Sequence, residues 1–352
     1  AKFFRYYGIN GMGYNSEFYD QTGVVEDLRD FHADLVKAAE KNDPLFENFW
    51  YDGTNDFGQV TFDGGLSNHN KETFGDKDNV RTSLFFNYNW NRGQLTPSVA
   101  YAEKLGRDPL DLYCGVNMQG GEPGGTSWSL LPDQRVSIGL WGAHSYNMFW
   151  ESRSELGSSD EKKQFAYLRR TECYFGGGNR NPVITPSIVD KHQYTAYNPT
   201  WHGMAAFMTA RSPLSWDLAE EPFITYFNLG NGKFFNLNGE RKTSTPWYNV
   251  GMQDYLPTWH FWFANKLLGR TAADVPAEGL DAQFVWDDAY FGGSTLKVFG
   301  TTANEYLHLF KTKYALKKGD VITVRYKLNE GATDLDLVLS AEGSEDKGVA
   351  YN

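Results

Sequence analysis

Residues 14–18 read Tyr-Asn-Ser-Glu-Phe, close behind the glycine-loosened run Gly8-Ile9-Asn10-Gly11-Met12-Gly13. On a strand, residues two apart project from the same face, so this spacing predicts Asn15 and Glu17 side by side. A carboxyl next to a carboxamide is a usable pair for acid–base work on a substrate that carries its own amide. The competing reading is a polar strand end that caps the following helix, and a three-residue pattern alone does not decide between them.

The elements that must position this pair follow a strand–helix alternation. Phe46–Tyr51, Leu84–Asn89, Leu112–Val116 and Val136–Trp141 read as buried strands. Between the first strand and Phe46, apolar residues Val24, Val25, Leu28, Phe31, Leu35, Val36 and Ala39 fall at helical spacing, and Asn42-Asp43-Pro44 ends the helix. A second helix is predicted over Pro97–Leu105, ended by Gly106. Such alternation implies parallel strands joined by crossover helices. Polar residues collect at the C-terminal strand ends (Asn15/Glu17, Tyr51/Asp52, Asn87/Asn89/Trp90, Asn117/Gln119), the face where a barrel of parallel strands carries its active site. Past Arg270 the texture changes: Pro276-Ala277-Glu278-Gly279 reads as a linker. Alternating patterns at Ser294–Phe299, Glu305–Phe310, Val321–Lys327 and Leu335–Ser340 then predict an antiparallel sandwich. The glycine runs Gly120–Gly125 and Gly176–Gly178 read as surface loops, since no Gly-Lys-Ser/Thr follows them.

Composition narrows the partners. A net charge of −11 with thinly spread Lys and Arg argues against nucleic acid and against docking on an anionic membrane. No run of about 20 apolar residues predicts membrane insertion, and the start Ala1-Lys2-Phe3-Phe4-Arg5 does not read as a signal peptide. Aromatic residues make up 16% of the chain, with 11 Trp, 21 Tyr and 25 Phe. Flat rings with polar tips suit sugar rings; a large core with partly exposed rings is the alternative. Cys114 and Cys173 are not spaced as a metal site, and either one bridge or two buried thiols fits them. His144, His202 and His260 show no metal spacing, and His32 sits on the predicted helix as a structural residue. Asp287 and Asp288 are expected to be a solvated turn, with a calcium site as the alternative.

Several collinear segments resemble glycoside hydrolase family 85, the endo-β-N-acetylglucosaminidases. They are Trp50-Tyr51-Asp52-Gly53, Asp56-Phe57-Gly58-Gln59-Val60, Gly65-Leu66-Ser67-Asn68 and Phe85-Phe86-Asn87-Tyr88-Asn89-Trp90. Phe223 to Gly232, Asn238-Gly239, Trp247-Tyr248-Asn249, Gln253 to Trp259 and Trp286 to Ser294 continue the match. The resemblance implies a (β/α)8 TIM-barrel catalytic region, of which the C-terminal part from about the fourth strand is expected here, over residues 1–275 with a post-barrel segment. Residues 276–352 are then a galactose-binding-like β-sandwich, expected to be incomplete. The missing strands would belong to a longer enzyme or come from another chain, because half a barrel leaves two open sheet edges.

The resemblance also assigns roles. Asn15-Ser16-Glu17 aligns with the family's catalytic Asn-x-Glu, implying a substrate-assisted, retaining reaction outside the two-carboxylate scheme. Glu17 would be the acid–base group, in an aromatic setting from Tyr14, Trp50 and Trp90 that favours the protonated acid. Asn15 would orient the substrate amide, and Tyr51 would hydrogen-bond it. Trp90, Asn89, Asn87, Trp50, Phe62, Trp141 and Tyr146 are the expected substrate-binding residues, Phe62 standing where the family often has Trp. Packing or strand termination is the other reading of Tyr51, Trp90, Asn87 and Asn89. No cofactor and no metal are implied; the partners would be N-glycans on glycoproteins or free oligosaccharides. A non-catalytic glycan-binding protein is the alternative. A chitinase-like enzyme would show an Asp-x-Asp-x-Glu run, which this chain lacks. Acidic charge, aromatic richness and two cysteines lead us to expect a secreted or cell-surface protein of bacterial type.

Overall fold

A computed structural model describes residues 2–7, 9, 11–41, 43, 46–117, 128–142, 159, 222–254, 262–264, 279–301, 306–309, 314–341, 344 and 347–351. Its central feature is a five-stranded sheet built from β1 (Gly11–Tyr14), β2 (Glu47–Tyr51), β3 (Ser83–Phe86), β4 (Leu112–Asn117) and β5 (Ser137–Trp141). The strands lie in chain order and every neighbouring pair is parallel. Crossovers carry α1 (Thr22–Glu40) and α2 (Arg92–Lys104). This is the arc of a parallel barrel, as the strand–helix alternation predicts.

The two faces of the sheet are furnished differently. On the helix-covered face, Trp50, Leu84, Phe86, Leu112, Cys114 and Val116 join Val25, Leu95 and Ala102 in one buried cluster. On the opposite face, Phe49 stacks near Phe85 and Tyr113, and Phe85 meets Tyr51 and Trp141. Strand glycines seat these rings. A β-carbon on Gly139 would lie 2.1 Å from the Phe85 ring, and one on Gly13 would lie 2.4 Å from the Phe49 ring. Buried Cys114 is a free thiol; Cys173 lies outside the described residues.

Several boundaries differ from the sequence reading, for identifiable reasons. β1 stops at Tyr14, so Asn15 and Glu17 lie just beyond the strand rather than on it. In α1, Val24 and Phe31 are exposed, although their spacing places them inward. The buried stripe instead runs through Val25, Arg29, His32, Ala33 and Ala39, because polar partners await two of them. Arg29 pairs with buried Asp56 at 3.2 Å, and the His32 ring bonds the Asn48 side chain. α2 begins at Arg92, not Pro97: the Asn91 side chain caps it by accepting from the Gly93 N–H. Pro97 lies inside the helix, where it has no N–H to offer the turn before it.

Beyond the sheet, strands pair two by two. β6 (Leu229–Gly232) pairs with β9 (Trp247–Gln253), and β7 (Phe235–Leu237) with β8 (Glu240–Thr243). β10 (Leu280–Val285) and β11 (Thr295–Gly300) form a hairpin. That hairpin interlocks with the segment before it: the Leu229 N–H donates to Ser294 Oγ at 2.8 Å, and Asn236 Nδ2 donates to the Ala289 carbonyl. Of the predicted linker, residues 276–278 lie outside the described residues. Tyr306–His308 pairs with Trp262–Ala264, and Leu337–Ser340 with Gly348–Tyr351. Val321–Lys327, predicted as a strand, is exposed and, among the described residues, joins no sheet. Among the described residues these ribbons do not join into one larger sheet. Asp288 forms an ion pair with Lys327.

Burial holds the His32 imidazole below its ordinary pKa, partly offset by the Asn48 hydrogen bond. The unfolded chain therefore takes up this proton more readily, and the stability His32 supplies is present above about pH 6.5 and lost as pH falls. Urea unfolding of the wild type and of His32→Gln should show a stability difference that shrinks between about pH 7 and 5. A constant difference would contradict this assignment.

Candidate active site

Asn15 and Glu17 are placed by the loop that follows β2. Between them Ser16 is completely buried, while they themselves are exposed. Ser16 Oγ donates to the Tyr51 carbonyl at 2.5 Å, and the Thr54 N–H donates to the Ser16 carbonyl at 2.8 Å. Thr54 Oγ1 then donates to the Phe18 carbonyl at 2.8 Å and accepts from the Phe18 N–H at 3.0 Å. Four hydrogen bonds thus zip residues 16–18 onto 51–54. Gly53 is the contact point: a β-carbon there would stand 2.0 Å from the Ser16 carbonyl oxygen and 3.3 Å from Glu17 Cγ. Only glycine lets the two chain segments approach this closely.

Tyr51 is the hub of the aromatic wall. Its ring stacks on Trp141 with centroids 5.8 Å apart and meets Phe62 at 6.0 Å and Tyr88 at 6.3 Å. Its hydroxyl donates to Asn87 Oδ1 at 2.8 Å and accepts from the Tyr88 hydroxyl. The phenol is pushed up to about 12 by burial first, then by the charges of Glu17 and Asp52. Glu17 and burial also push Tyr88 upward. Both phenols therefore stay neutral hydrogen-bond donors across the physiological range, close to the Glu17 carboxyl.

Two buried carboxylates fasten the loop behind this wall. Asp52 accepts from the Gly64 N–H at 2.5 Å, from Asn70 Nδ2 at 3.2 Å and from the Asn87 N–H; burial pushes its carboxyl up to about 7. Asp56 accepts from Arg29 of α1, from the Glu72 and Thr73 N–H groups and from the Thr73 hydroxyl. Within the loop, Phe62 holds a left-handed backbone with φ of 49°, and Asn89 Nδ2 donates to its carbonyl at 3.0 Å.

The predicted residues sort clearly. Asn15, Glu17, Tyr51, Asn87, Asn89, Phe62 and Trp141 gather at the C-terminal ends of the strands. Trp50 does not: it is 1% exposed, packs against Tyr14, Phe18 and His32, and donates to the Thr54 carbonyl. Its neighbour Tyr51 points into the site, and strand alternation sends Trp50 to the helix side. Trp90 is likewise a core residue, 5% exposed, with its indole N–H on the Gly115 carbonyl. Neither is free to contact a ligand or to line Glu17. Tyr146, His144, His202, His260, Gln119, Tyr255 to Trp259 and the glycine runs 120–125 and 176–178 lie outside the described residues. The reading by residue type missed Tyr88, and it placed Asp52 at the polar strand ends without giving it a role. Both sit inside matched motifs, directly after residues already singled out. Among the described residues no group of three or more His, Cys, Asp or Glu is placed to hold a metal ion, and no helix is long and apolar enough to cross a membrane.

The chain belongs to glycosyl hydrolase family 85, whose model matches residues 1–235. It is 22% identical over 355 residues to cytosolic endo-beta-N-acetylglucosaminidase 2 of Arabidopsis thaliana, covering 95% of this chain and 44% of that protein. To the cytosolic endo-beta-N-acetylglucosaminidase of Homo sapiens it is 24% identical, covering 96% of this chain and 39% of that protein. The chain thus spans less than half the length of these curated relatives. A solved glycoside hydrolase domain, Endo-D from Streptococcus pneumoniae R6, shares the fold with a TM-score of 0.59 and 24% identity, over 88% of this chain and 45% of that one. The expectation of a secreted or cell-surface protein is overturned, because these curated relatives are named cytosolic. Charge, ring content and cysteine count do not encode a compartment.

If Gly53 holds the two segments together, Gly53→Ala must break the bonds on either side of it. Two neutral hydrogen bonds at about 1 kcal/mol each predict roughly a tenfold to hundredfold faster amide exchange at Thr54. Residue-resolved hydrogen exchange by NMR reads this directly, and an unchanged rate would contradict the placement.

Proposed function

We propose that this chain is the catalytic part of an endo-β-N-acetylglucosaminidase that hydrolyses the GlcNAc-β-1,4-GlcNAc core of N-linked glycans. Family membership and the names of the relatives support the reaction class. The observation that carries it is the pairing of Asn15 and Glu17 across buried Ser16, beside Tyr51, at the C-terminal end of a parallel sheet. The substrates are N-glycans on glycoproteins or free oligosaccharides. Residues 1–275 are read as the catalytic barrel region with its post-barrel segment, and 276–352 as part of a β-sandwich domain.

In the proposed reaction the substrate's 2-acetamido oxygen attacks the anomeric carbon as the glycosidic bond breaks. Glu17 gives its proton to the departing oxygen, so the products of this step are an oxazolinium, a free GlcNAc hydroxyl and the Glu17 carboxylate. Asn15 holds the acetamido N–H while positive charge develops on it, and Tyr51 donates to the same group once it turns from Asn87. Glu17 then takes a proton from water, which opens the ring and restores the starting configuration. A sugar alcohol in place of water gives transglycosylation. Asn87 and Asn89 offer amides to sugar hydroxyls, and Trp141 and Phe62 offer ring faces, with Tyr146 as a further wall.

Mass spectrometry of a high-mannose glycoprotein after incubation tests this reading. The wild type should remove the glycan and leave one GlcNAc. Glu17→Gln should lose at least about a hundredfold in rate, and Asn15→Ala should fail on the glycoprotein yet still turn over a preformed oxazoline. Full activity in both variants would contradict the assignment, and sugar binding without cleavage by the wild type would leave a lectin-like function.

A further inference from the structure

Asp52 is the one carboxylate of the site whose three named partners come from three different places. The Gly64 amide belongs to the turn after Phe62, the Asn70 side chain belongs to the next loop segment, and the Asn87 amide belongs to the end of β3. Asn70 is itself fixed, donating to the Gly65 carbonyl at 2.9 Å and accepting from the Ser67 N–H at 2.8 Å. Asn87 is the residue whose side chain accepts the Tyr51 hydroxyl. Phe62, two residues before Gly64, keeps its left-handed backbone and sets its ring at 57° to that of Tyr51, with centroids 6.0 Å apart. A non-glycine residue holds such a conformation only when its surroundings impose it.

We propose that Asp52 is a positioning residue for Tyr51, acting through Asn87 on one side and through the Phe62 turn on the other. It touches no substrate in the reading above, and this inference rests on that reading only for its consequence in catalysis. The chemistry of the contact makes it conditional. All three partners are donors, so the ionised carboxylate satisfies them together. A protonated carboxyl gives up one acceptor position, which releases either the Gly64 turn or the Asn87 strand end. Burial opposes the charge and pushes the group up to about 7, with the nearby Asp63 adding to the rise. The exchange between the two states therefore falls in the physiological range. Above it the aromatic wall is braced, and below it one brace is undone.

Among the described residues, the other ionisable groups that act on Asp52 or Tyr51 are Asp63, Glu17 and Tyr88. Asp63 faces Asp52 from the loop and is paired with His69 at 3.0 Å. Glu17 acts on Tyr51 from the end of β1. Tyr88 acts on Tyr51 from the end of β3.

The test follows the Tyr51 ring itself. In the full chain labelled with ζ-carbon-13 tyrosine, the Tyr51 and Tyr88 signals are assigned with Tyr51→Phe and Tyr88→Phe, then followed from about pH 5.5 to 8.5. The Tyr51 signal should move with a midpoint near 7. Glu17→Gln and His69→Gln should leave that step in place, Asp52→Asn should remove it, and Asn87→Ala should shrink it to less than about half. A flat titration, or a step that survives Asp52→Asn, would overturn the inference. So would a step untouched by Asn87→Ala, since it would report charge felt through space rather than positioning. Should Asp52→Asn fail to fold, Asn70→Ala serves instead: losing a donor to the carboxylate must raise the midpoint, and an unchanged midpoint overturns the inference. This readout needs no turnover, so its failure is distinct from failure of the glycosidase reading. Where the wild type does cleave glycoprotein, Asp52→Asn should lower kcat more than it raises KM. It should add little further loss in a Tyr51→Phe background; additive losses would count against the proposal.

Discussion

Everything at this site hangs on the backbone of residues 16–18 being fastened to residues 51–54. Strand β1 ends at Tyr14, so sheet hydrogen bonds no longer hold Asn15 and Glu17. The Ser16 and Thr54 hydroxyls and the Thr54 amide replace that ladder. The arrangement keeps the directional benefit of a strand, with buried Ser16 between exposed Asn15 and Glu17. Its cost is a steric constraint at Gly53, where no side chain fits.

The loop that does the fastening needs its own anchors, and it has two. Asp52 and Asp56 are buried carboxylates whose partners are mostly backbone amides and side-chain amides or hydroxyls, with one guanidinium from α1. Burying a charge is expensive unless donors converge on it, and here they converge from separate segments. The segment from 50 to 58 is therefore mainly a folding device. Tyr51 faces the site, whereas Trp50, Asp52, Gly53, Thr54 and Asp56 hold the loop that presents it.

The sheet was largely legible in the chain. Apolar runs separated by helical periods mark β2 to β5 to within a few residues, and polar residues stand at their C-terminal ends. What was not legible has specific causes. Aromatic type says nothing about direction, so Trp50 and Trp90 looked like sugar platforms; the alternation that puts Trp50 opposite Tyr51 was the available signal. Pro97 read as a helix start because proline favours the first turn, while the Asn91 cap six residues earlier was the true one. Arg29 and His32 face inward because Asp56 and Asn48, distant in sequence, supply their partners. Val321–Lys327 has the alternation of a strand but joins no sheet among the described residues, and pairing cannot be read from one segment.

In the proposed reaction Asn15, Glu17 and Tyr51 converge on one acetamido group. That convergence is tested most directly by a crystal structure of the chain soaked with a thiazoline mimic of the GlcNAc oxazoline. Convergence predicts that the ring heteroatoms lie within about 3.2 Å of the Asn15 carboxamide and the Tyr51 hydroxyl, with Glu17 above the anomeric carbon. A mimic bound away from the strand ends, or bound there without contact to Asn15, would contradict the account.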